Sequence, residues 1–230
     1  MLRDRVRTIV YKSGLPVLFP LRKTGFLRES GWMRSVTGLY PQNRAGEPMP
    51  WLTEPAVAFL DDRLGAGLTV GEFGSGNSTL WLASRCKQVV SVEEDAMWAE
   101  RLRAKAPENV ELIVPEGGGS VSLPADGYRV PAAFPTYAQS LPFDAVDFDL
   151  VFVDGLDRNG CVERCLDATP PVKTVVVDNT DGRYDAELEP TYRRFEDAGY
   201  RRVDFHGAAL GSWRKTCTSV FYTDGNCLGL

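Results

Sequence analysis

Residues Leu68 to Ala83 read LTVGEFGSGNSTLWLA, and this stretch decides the fold of the chain. A short apolar run, residues 68–73, stops at Gly74-Ser75-Gly76, and beyond Ser78 the apolar residues follow helical spacing. The pattern predicts a buried strand, a tight glycine turn and the start of a helix. At such a junction the backbone can approach a ligand closely, and the free N–H groups of the first helical turn attract polar or anionic groups.

The residues around the turn distinguish between two kinds of ligand. Asn77, Ser78 and Thr79 suit the capping of the helix. The dinucleotide fingerprint G-x-G-x-x-G has a third glycine where this chain has Thr79. Glu72 precedes Gly74 at the end of a strand that should be buried, where a carboxylate repels pyrophosphate and attracts an ammonium or sulfonium group. We therefore expect a cationic ligand at this turn.

The pattern E-x-G-x-G-x-S, in Glu72, Gly74, Gly76 and Ser78, resembles the first motif of class I S-adenosylmethionine-dependent methyltransferases. The resemblance covers about residues 51–230. It implies that the glycine turn holds the methionine part of an S-adenosylmethionine cofactor. With the residues discussed below, the predicted cofactor-binding set is Glu72, Gly74, Ser75, Gly76, Asn77, Ser78, Thr79, Glu93, Glu116 and Asp154.

Composition places limits on the class of protein. The 230 residues, 43% hydrophobic and 25% charged, suit one α/β domain with an appended segment. A net charge of −5 argues against a general nucleic-acid binder. Residues 1–50 nevertheless hold nine Lys/Arg and three acids, +6, which leaves −5 − 6 = −11 for residues 51–230. We therefore predict a basic, irregular N-terminal cap over 1–50 and a cofactor-binding domain over 51–230.

The role of the basic cap stays open at this point. It is expected to pack on the domain, to cover the active site, to contact a partner, or to lie on an anionic membrane surface. Trp32 and Trp51 are predicted to be its packing anchors. A short amphipathic helix is predicted within residues 3–11.

Cysteine use and hydropathy favour a cytoplasmic protein. The five cysteines show no paired C-x-x-C spacing, and Cys161 and Cys165, four residues apart, are predicted to be core residues. The chain has no apolar run of about 18 residues that could span a membrane. Pro16 and Pro20 interrupt the apolar stretch 15–21, so no secretory signal is expected. The reducing cytoplasm is the expected compartment.

The order of predicted elements defines the fold class. Strand and helix patterns alternate five times, and a strand pair follows. The predicted fold is α/β, a Rossmann-like seven-stranded methyltransferase sheet with an antiparallel last strand. The predicted strands are 68–73, 89–92, 110–114, 148–153, 173–177, 200–205 and 216–222, and the predicted helices are 50–64, 78–85, 96–105, 162–166 and 186–198.

Acidic residues follow the second and third predicted strands. Glu93 ends the second strand, 93 − 74 = 19 residues after Gly74, where an acid can accept hydrogen bonds from both ribose hydroxyls. Glu94 and Asp95 are alternatives, although both also suit the start of the next helix. Glu116 lies at the tip of the third strand, where the resemblance implies contact with adenine.

A long segment, residues 117–142, is rich in Gly, Pro and Ser and interrupts the alternation. Loops of this length in compact domains usually serve as lids or binding segments. Tyr128, Phe134 and Tyr137 are expected either to line an acceptor pocket or only to fix the loop in place.

Polar residues at two further strand ends suggest a cation site. Asp154, Asp178 and Asn179 supply oxygen donors of the kind that Mg²⁺ prefers. The trio resembles the metal ligands of catechol O-methyltransferase and its relatives, in which a lysine three residues after the first Asp removes the acceptor proton. That position is Asp157 here, a departure from the pattern. Without a metal, the trio would cap turns and anchor the methionine end of the cofactor.

Methyl transfer to an alcohol or phenol needs an oxygen aligned with the methyl group and a base or a metal to assist. The candidate bases are Asp157, Asp178 and the chain's single histidine, His206. The chain also shows a fainter similarity to bacterial methyltransferases of surface-glycan gene clusters. The similarity lies in the stretches PWLTEPAVAFL, GSGNSTLWLA, VVSVEEDAMW and NCLGL.

The sequence thus predicts an S-adenosylmethionine-dependent methyltransferase, most simply an O-methyltransferase of a sugar or another hydroxylated small molecule, with no nucleic-acid partner. Mg²⁺ is a possible second cofactor. The alternatives are an NAD(P)-dependent oxidoreductase and a non-catalytic binding module that keeps the fold. The oligomeric state is not predicted.

Overall fold

The computed structural model describes residues 12–38, 40–115, 136–182 and 185–230. In these ranges the chain forms a seven-stranded sheet in the order β3-β2-β1-β4-β5-β7-β6. Its strands are β1 (Thr69–Phe73), β2 (Gln88–Val92), β3 (Val110–Ile113), β4 (Leu150–Val153), β5 (Thr174–Asp178), β6 (Arg201–Ala208) and β7 (Lys215–Tyr222). Strands β1 to β5 are mutually parallel, and β7 runs antiparallel between β5 and β6. The predicted sheet with an antiparallel last strand is confirmed.

Seven α-helices accompany the sheet within the described ranges, with a 3₁₀ helix over Leu15–Leu21. They are α1 (Phe26–Glu29), α2 (Trp32–Gly38), α3 (Glu54–Asp61), α4 (Asn77–Ala83), α5 (Ala96–Arg103), α6 (Arg158–Asp167) and α7 (Asp185–Asp197). Two helices depart most from the predicted bounds. α3 begins four residues later than the predicted 50–64, with Thr53 as its N-cap, and α6 begins four residues earlier than the predicted 162–166, because Asp157 caps it.

The core lies on both faces of the central strands. β1 and β4 contribute Val70, Phe73, Leu150 and Val153, all fully buried. Near-continuous apolar strands of this kind are expected where helices cover both faces of a parallel sheet. Cys161 and Cys165 of α6 are also fully buried, so their prediction as core residues is confirmed.

The N-terminal cap is more regular than the sequence suggested. Three short helices occupy residues 15–38, so the expectation of an irregular segment is wrong over this range. The indole Nε1 of Trp32 on α2 donates to the carbonyl of Ser212 at 2.9 Å, which fastens α2 to the loop between β6 and β7. The helix predicted within residues 3–11 lies outside the described residues. The division of the chain at residue 50 stays a prediction.

The length and hydropathy of the helices were compared with what a membrane span requires. None of the helices in the described ranges has the length and apolar character that crossing a bilayer requires.

Candidate functional site

A cavity of about 410 Å³ opens at the carboxyl edge of the parallel strands. Its volume lies in the range of small-molecule sites, and its position is the one at which open α/β sheets bind ligands. The residues that line it are Tyr40, Pro41, Trp51, Gly74, Ser75, Gly76, Asn77, Ser78, Glu93, Glu94, Asp95, Trp98, Asp154, Gly155 and Leu156. Among these described lining residues four are carboxylates and none is Lys or Arg, so the cavity favours a ligand with positive charge.

The two glycines of the turn have different roles. Gly74 has φ +96°, and a Cβ there would fall 2.9 Å from the Asp154 carbonyl oxygen. Strand β1 can therefore turn against β4 only if this residue is glycine. Gly76 is extended, with φ 179°. A Cβ on Gly76 would meet only the Ser78 hydroxyl, at 3.9 Å. The missing side chain at Gly76 therefore leaves room in the cavity.

Glu72 organises the turn from beneath. It is 1% exposed and does not line the cavity. The hydroxyls of Thr79 and Ser91 each donate to Glu72 Oε2 at 2.6 Å. Thr79 Oγ1 in turn accepts from the Gly76 N–H at 2.9 Å. Burial raises the pKa of Glu72, and hydrogen bonds from Ser78, Ser91 and Thr79 oppose this shift.

This position corrects the expectation that the Glu72 carboxylate selects the ligand by facing it. The Glu72 side chain lies beneath the turn and acts indirectly, because it accepts hydrogen bonds from the hydroxyls that shape the turn. The carboxylates that face the cavity are Glu93, Glu94, Asp95 and Asp154.

Glu93 connects the turn to the end of β2. Its Oε2 accepts from the Ser75 N–H and its Oε1 from the Asp95 N–H, both at 3.0 Å. A carboxylate has about four acceptor positions, so lone pairs remain for ligand hydroxyls. Burial, reinforced by the neighbouring Glu94 carboxylate, raises the pKa of Glu93 to about 8.

Glu94 adds unused hydrogen-bonding capacity to the cavity. Among the described residues, its buried Oε2 has no hydrogen-bond partner. Burial raises its pKa, and the adjacent Asp95 charge reinforces this. A buried carboxylate oxygen without a partner is costly, which is consistent with a ligand that supplies a donor. Asp95 caps α5 and accepts from the backbone N–H groups of Met97 and Trp98.

A guanidinium occupies the predicted metal site. Arg158 Nη2 lies 3.2 Å from Asp154 Oδ1 and 3.0 Å from Asn179 Oδ1, and Arg158 Nη1 donates to the Asp178 carbonyl at 2.7 Å. The Arg158 side chain is 8% exposed. A monovalent cation built into the chain thus holds the oxygens that the sequence assigned to Mg²⁺, and the residues present do not fit a divalent ion.

The carboxylate of Asp178 is satisfied within the protein. Its Oδ1 accepts from the Thr218 hydroxyl at 2.5 Å and its Oδ2 from the Asn179 amide at 2.7 Å. Burial raises the pKa of Asp178 to about 6, opposed by Thr218 and Arg158. No group of three or more His, Cys, Asp or Glu side chains with metal-ligand geometry occurs in the described ranges. Asp178 and Asn179 do not line the cavity.

Two predicted bases lie outside the cavity lining. Asp157 is the N-cap of α6, with φ 42°, and its side chain accepts from the Gly160 N–H. His206 lies within the edge strand β6, not in a loop as predicted, and pairs in register with Cys217. Neither position favours proton transfer in the cavity. Among the acidic residues that follow β4 and β5, Asp154 faces the cavity, and its pKa is raised well above its usual value by burial and by Asp178.

Sequence reasoning missed an aromatic wall of the cavity. The Tyr40 and Trp98 rings lie 5.6 Å apart, and the Trp98 indole donates to the Ser75 carbonyl at 2.9 Å. Trp51, predicted to be a packing anchor, is 54% exposed and lines the cavity. The Asn77 amide donates to the Pro41 carbonyl at 2.6 Å, which ties the cap to the turn. An available signal was the cluster of Tyr40, Pro41 and Trp51 just ahead of the domain.

Of the long segment predicted over residues 117–142, the structure describes 136–142, and none of these residues lines the cavity. Tyr137 is fully buried against Phe73, with ring centroids 5.8 Å apart, so it fixes the loop and does not line the cavity. The predictions for Glu116, Tyr128 and Phe134 fall outside the described residues.

Comparison with solved structures defines the fold class. A methyltransferase-like protein from Silicibacter pomeroyi superposes with a TM-score of 0.51 at 23% identity, covering 76% of this chain and 89% of that one. An rRNA methylase from Streptococcus thermophilus gives 0.44 at 17% identity, over 71% and 90%. No protein-family model matches. With the sheet order above, the chain has the fold of class I S-adenosylmethionine-dependent methyltransferases.

One curated relative is similar in sequence over a short range. It is a probable ribosomal RNA small subunit methyltransferase A from Pyrobaculum aerophilum, 43% identical over 67 residues. The match spans 28% of this chain and 29% of that protein. A relative described as acting on ribosomal RNA overturns the expectation of a small-molecule acceptor with no nucleic-acid partner. The absence of a nucleic-acid partner was inferred from net charge, which averages over the whole chain although residues 1–50 carry +6. The small-molecule acceptor was inferred from the fainter similarity to surface-glycan methyltransferases.

Proposed function

We propose that the protein is an S-adenosylmethionine-dependent methyltransferase. The observation that carries the proposal is the cavity itself: Glu93, Glu94, Asp95 and Asp154 line it, with no Lys or Arg among the described lining residues. S-adenosylmethionine carries a sulfonium and an ammonium group, so this lining complements it. A dinucleotide pyrophosphate would meet like charge there. The class of fold supports the same cofactor.

The residues of the turn fit the cofactor. Gly74 to Ser78 would hold its methionine end, since Gly76 leaves open space and Ser78 and Asn77 line the same wall. Glu93 would accept from the ribose hydroxyls with its remaining lone pairs. S-adenosylmethionine, when bound, supplies a methyl group on a positively charged sulfur.

We assign to Asp154 the role of general base, which removes the proton from the acceptor. Asp154 lines the cavity, and burial raises its pKa, which makes this carboxylate a stronger proton acceptor than a solvated one. Arg158 positions this carboxylate through its 3.2 Å contact and favours the ionised form. We also propose that the methyl group is transferred to a hydroxyl oxygen, as the sequence predicted, and that Asp154 accepts the proton of that hydroxyl.

The test is calorimetric titration of the protein with S-adenosylmethionine and, separately, with NAD and NADP. We expect saturable binding of S-adenosylmethionine only. Glu93→Gln should weaken it about tenfold, because one charged hydrogen bond is worth about 1.5 kcal/mol or more. The matched control is Glu111→Gln on the exposed side of β3, which should leave binding unchanged. Binding of a dinucleotide alone would refute the proposal and favour the oxidoreductase.

Catalysis is tested separately from cofactor binding, by an assay for methyl transfer. A methyltransferase should transfer a radiolabelled methyl group from S-adenosylmethionine to an acceptor in a panel that includes total RNA. At saturating S-adenosylmethionine, an Asp154→Asn variant should lose at least about a hundredfold in rate, because general-base assistance contributes that much. Binding without transfer to any acceptor would favour the non-catalytic module.

A further inference from the structure

A second concave surface lies on the N-terminal cap. It is a shallow groove of about 520 Å³, here called the basic groove, and it is lined by Lys23, Arg28, Met33, Arg34, Thr37 and Arg44. All four of its cations are exposed. The groove thus has the opposite charge character to the cofactor cavity.

The charges of the groove's four cations are not neutralised by carboxylates of the described residues. Within the described part of the chain, no carboxylate forms an ion pair with any of the four. Arg28 makes one backbone contact, from its Nε to the Leu21 carbonyl at 2.9 Å. Residues 12–50 hold six Lys/Arg and two acids, +4 in a chain whose total is −5. The positive charge is therefore local, and it is available to an anion.

One segment, residues 40–51, joins the basic groove to the cofactor cavity. Tyr40 and Pro41 line the cavity, and Arg44 lines the groove. A tight turn separates them, in which the Asn43 side-chain oxygen accepts from the backbone N–H groups of Ala45, Gly46 and Glu47 at 2.9 to 3.0 Å. The groove and the cavity are thus lined by neighbouring parts of one short segment of the chain.

Helix α2 is fastened to the same segment. The Ser35 hydroxyl donates to the Gln42 carbonyl at 3.0 Å and accepts from the Gln42 N–H at 2.9 Å. The Arg34 guanidinium lies against Gly46, since a Cβ built there would fall 3.3 Å from Nη1. The hydrogen bonds of Ser35 therefore join α2, which carries Arg34, to the segment that carries Arg44.

Aromatic side chains stand at that mouth. Tyr40 is 42% exposed and Trp51 is 54% exposed, and both line the cavity. Cations that follow a phosphate backbone, combined with exposed rings on which bases stack, are the features by which proteins bind single-stranded nucleic acid.

We propose that the basic groove binds the phosphodiester backbone of a nucleic-acid acceptor, and that Tyr40 and Trp51 receive one of its bases beside the cofactor cavity. This inference rests on the proposed function and names the acceptor class of the same site. A concave groove suits a chain-like polyanion better than a flat bilayer surface.

The experiment measures fluorescence anisotropy of a labelled single-stranded RNA over a series of salt concentrations. The groove variant is Lys23→Gln with Arg44→Gln, because neither side chain makes a hydrogen bond or ion pair within the described residues. The control variant is Lys87→Gln with Lys173→Gln, two exposed cations that immediately precede β2 and β5 at the amino edge of the sheet and likewise make no side-chain hydrogen bond or ion pair within the described residues.

The wild-type protein and the control variant should bind RNA with the same salt dependence. The groove variant should bind about tenfold more weakly, and its log–log salt slope should fall by about 1.4, because two phosphate contacts are lost. Trp51→Ala should bind roughly fivefold more weakly or worse, with an unchanged slope.

Two results would overturn the proposal. One is equal RNA affinity for the wild-type protein and the groove variant. The other is groove-dependent binding of phosphatidylserine vesicles, or of inorganic phosphate, by a protein that does not bind RNA. The failure of the proposed function is seen separately: groove-dependent RNA binding by a protein that does not bind S-adenosylmethionine would support the groove and refute the cofactor assignment.

Discussion

Arg158 Nη2 lies 3.2 Å from Asp154 Oδ1, so a side-chain cation is paired with the carboxylate that the sequence had assigned to a metal. The two residues are four apart, Asp154 just beyond β4 and Arg158 at the first position of α6. This spacing brings the guanidinium over the carboxyl ends of β4 and β5. The metal ligands predicted from the resemblance thus become part of a hydrogen-bonded network internal to the protein.

The first prediction concerns Mg²⁺. Titration calorimetry with MgCl₂ should show no saturable binding, and the melting temperature should not rise with Mg²⁺ concentration, because the guanidinium already occupies the oxygens. A saturable rise in melting temperature that Asp154→Asn abolishes would contradict this account of the site.

The second prediction concerns the strength of the Arg158 network. Arg158→Met should lower the free energy of unfolding by about 3 kcal/mol, because removal of one partner leaves buried acceptors unsatisfied. The exposed pair Arg103–Glu100 is the matched control, and Arg103→Met should cost less than about 1 kcal/mol. Urea denaturation of both variants measures the difference, and equal costs would show that the Arg158 contacts contribute no more than a surface pair.

The third prediction separates the two glycines of the turn. Gly74→Ala should destabilise the fold by about 1–3 kcal/mol, since its φ of +96° and its contact with Asp154 exclude a side chain. Gly76→Ala should change stability little and weaken cofactor binding, because the new methyl group enters the cavity. Denaturation and calorimetry on both variants provide the test. Loss of stability in both, with affinity unchanged in Gly76→Ala, would refute the division of roles.

The fourth prediction is a pH dependence of stability. Glu93 has its pKa raised from 4.5 to about 8 in the folded state, so between these values the folded state retains a proton that the unfolded state releases. Its contribution is fully present below the unfolded pKa and is lost as pH rises through about 8, with a slope of at most about 1.4 kcal/mol per pH unit. Denaturation from acidic to basic pH, without cofactor, should show stability falling.

The control for this prediction is Glu93→Gln, which does not titrate. Glu94, Asp154 and Asp178 also have raised pKa values and shift stability in the same direction. The variant should therefore show a shallower decline with pH than the wild-type protein. Parallel curves for the two proteins would show that Glu93 keeps an ordinary pKa.

The fifth prediction concerns Glu72. Glu72→Ala should lower the free energy of unfolding by about 2–3 kcal/mol, because the Thr79 and Ser91 hydroxyls lose their buried acceptor. Cofactor affinity should fall as well, since the turn loses its support. Calorimetry and denaturation on the same variant give both values, and unchanged affinity for S-adenosylmethionine would refute the role of Glu72 in the site.

Local sequence patterns were enough to predict the fold. The apolar run before Gly74 and the apolar run before Asp154 each mark a buried parallel strand, because such strands have little polar surface. The position of Glu93 followed from the same logic, since residues at strand ends meet at one edge of a sheet.

Features that depend on tertiary geometry were not predicted. A pattern at the strand ends cannot show that Glu72 points beneath the turn while Glu93 faces the cavity. The role of Arg158 was missed because a charged residue at the start of a helix usually faces solvent. The places of Tyr40 and Trp51 were missed because their clustering in the sequence does not by itself show that the cap folds back over the turn.

The most direct test of the central claim is a crystal structure of the protein with S-adenosylhomocysteine. The account predicts the amino-acid end of the ligand against Gly74 to Ser78 and its ribose within hydrogen-bonding distance of Glu93. A ligand bound elsewhere, or a ribose turned away from Glu93 in the occupied cavity, would contradict it.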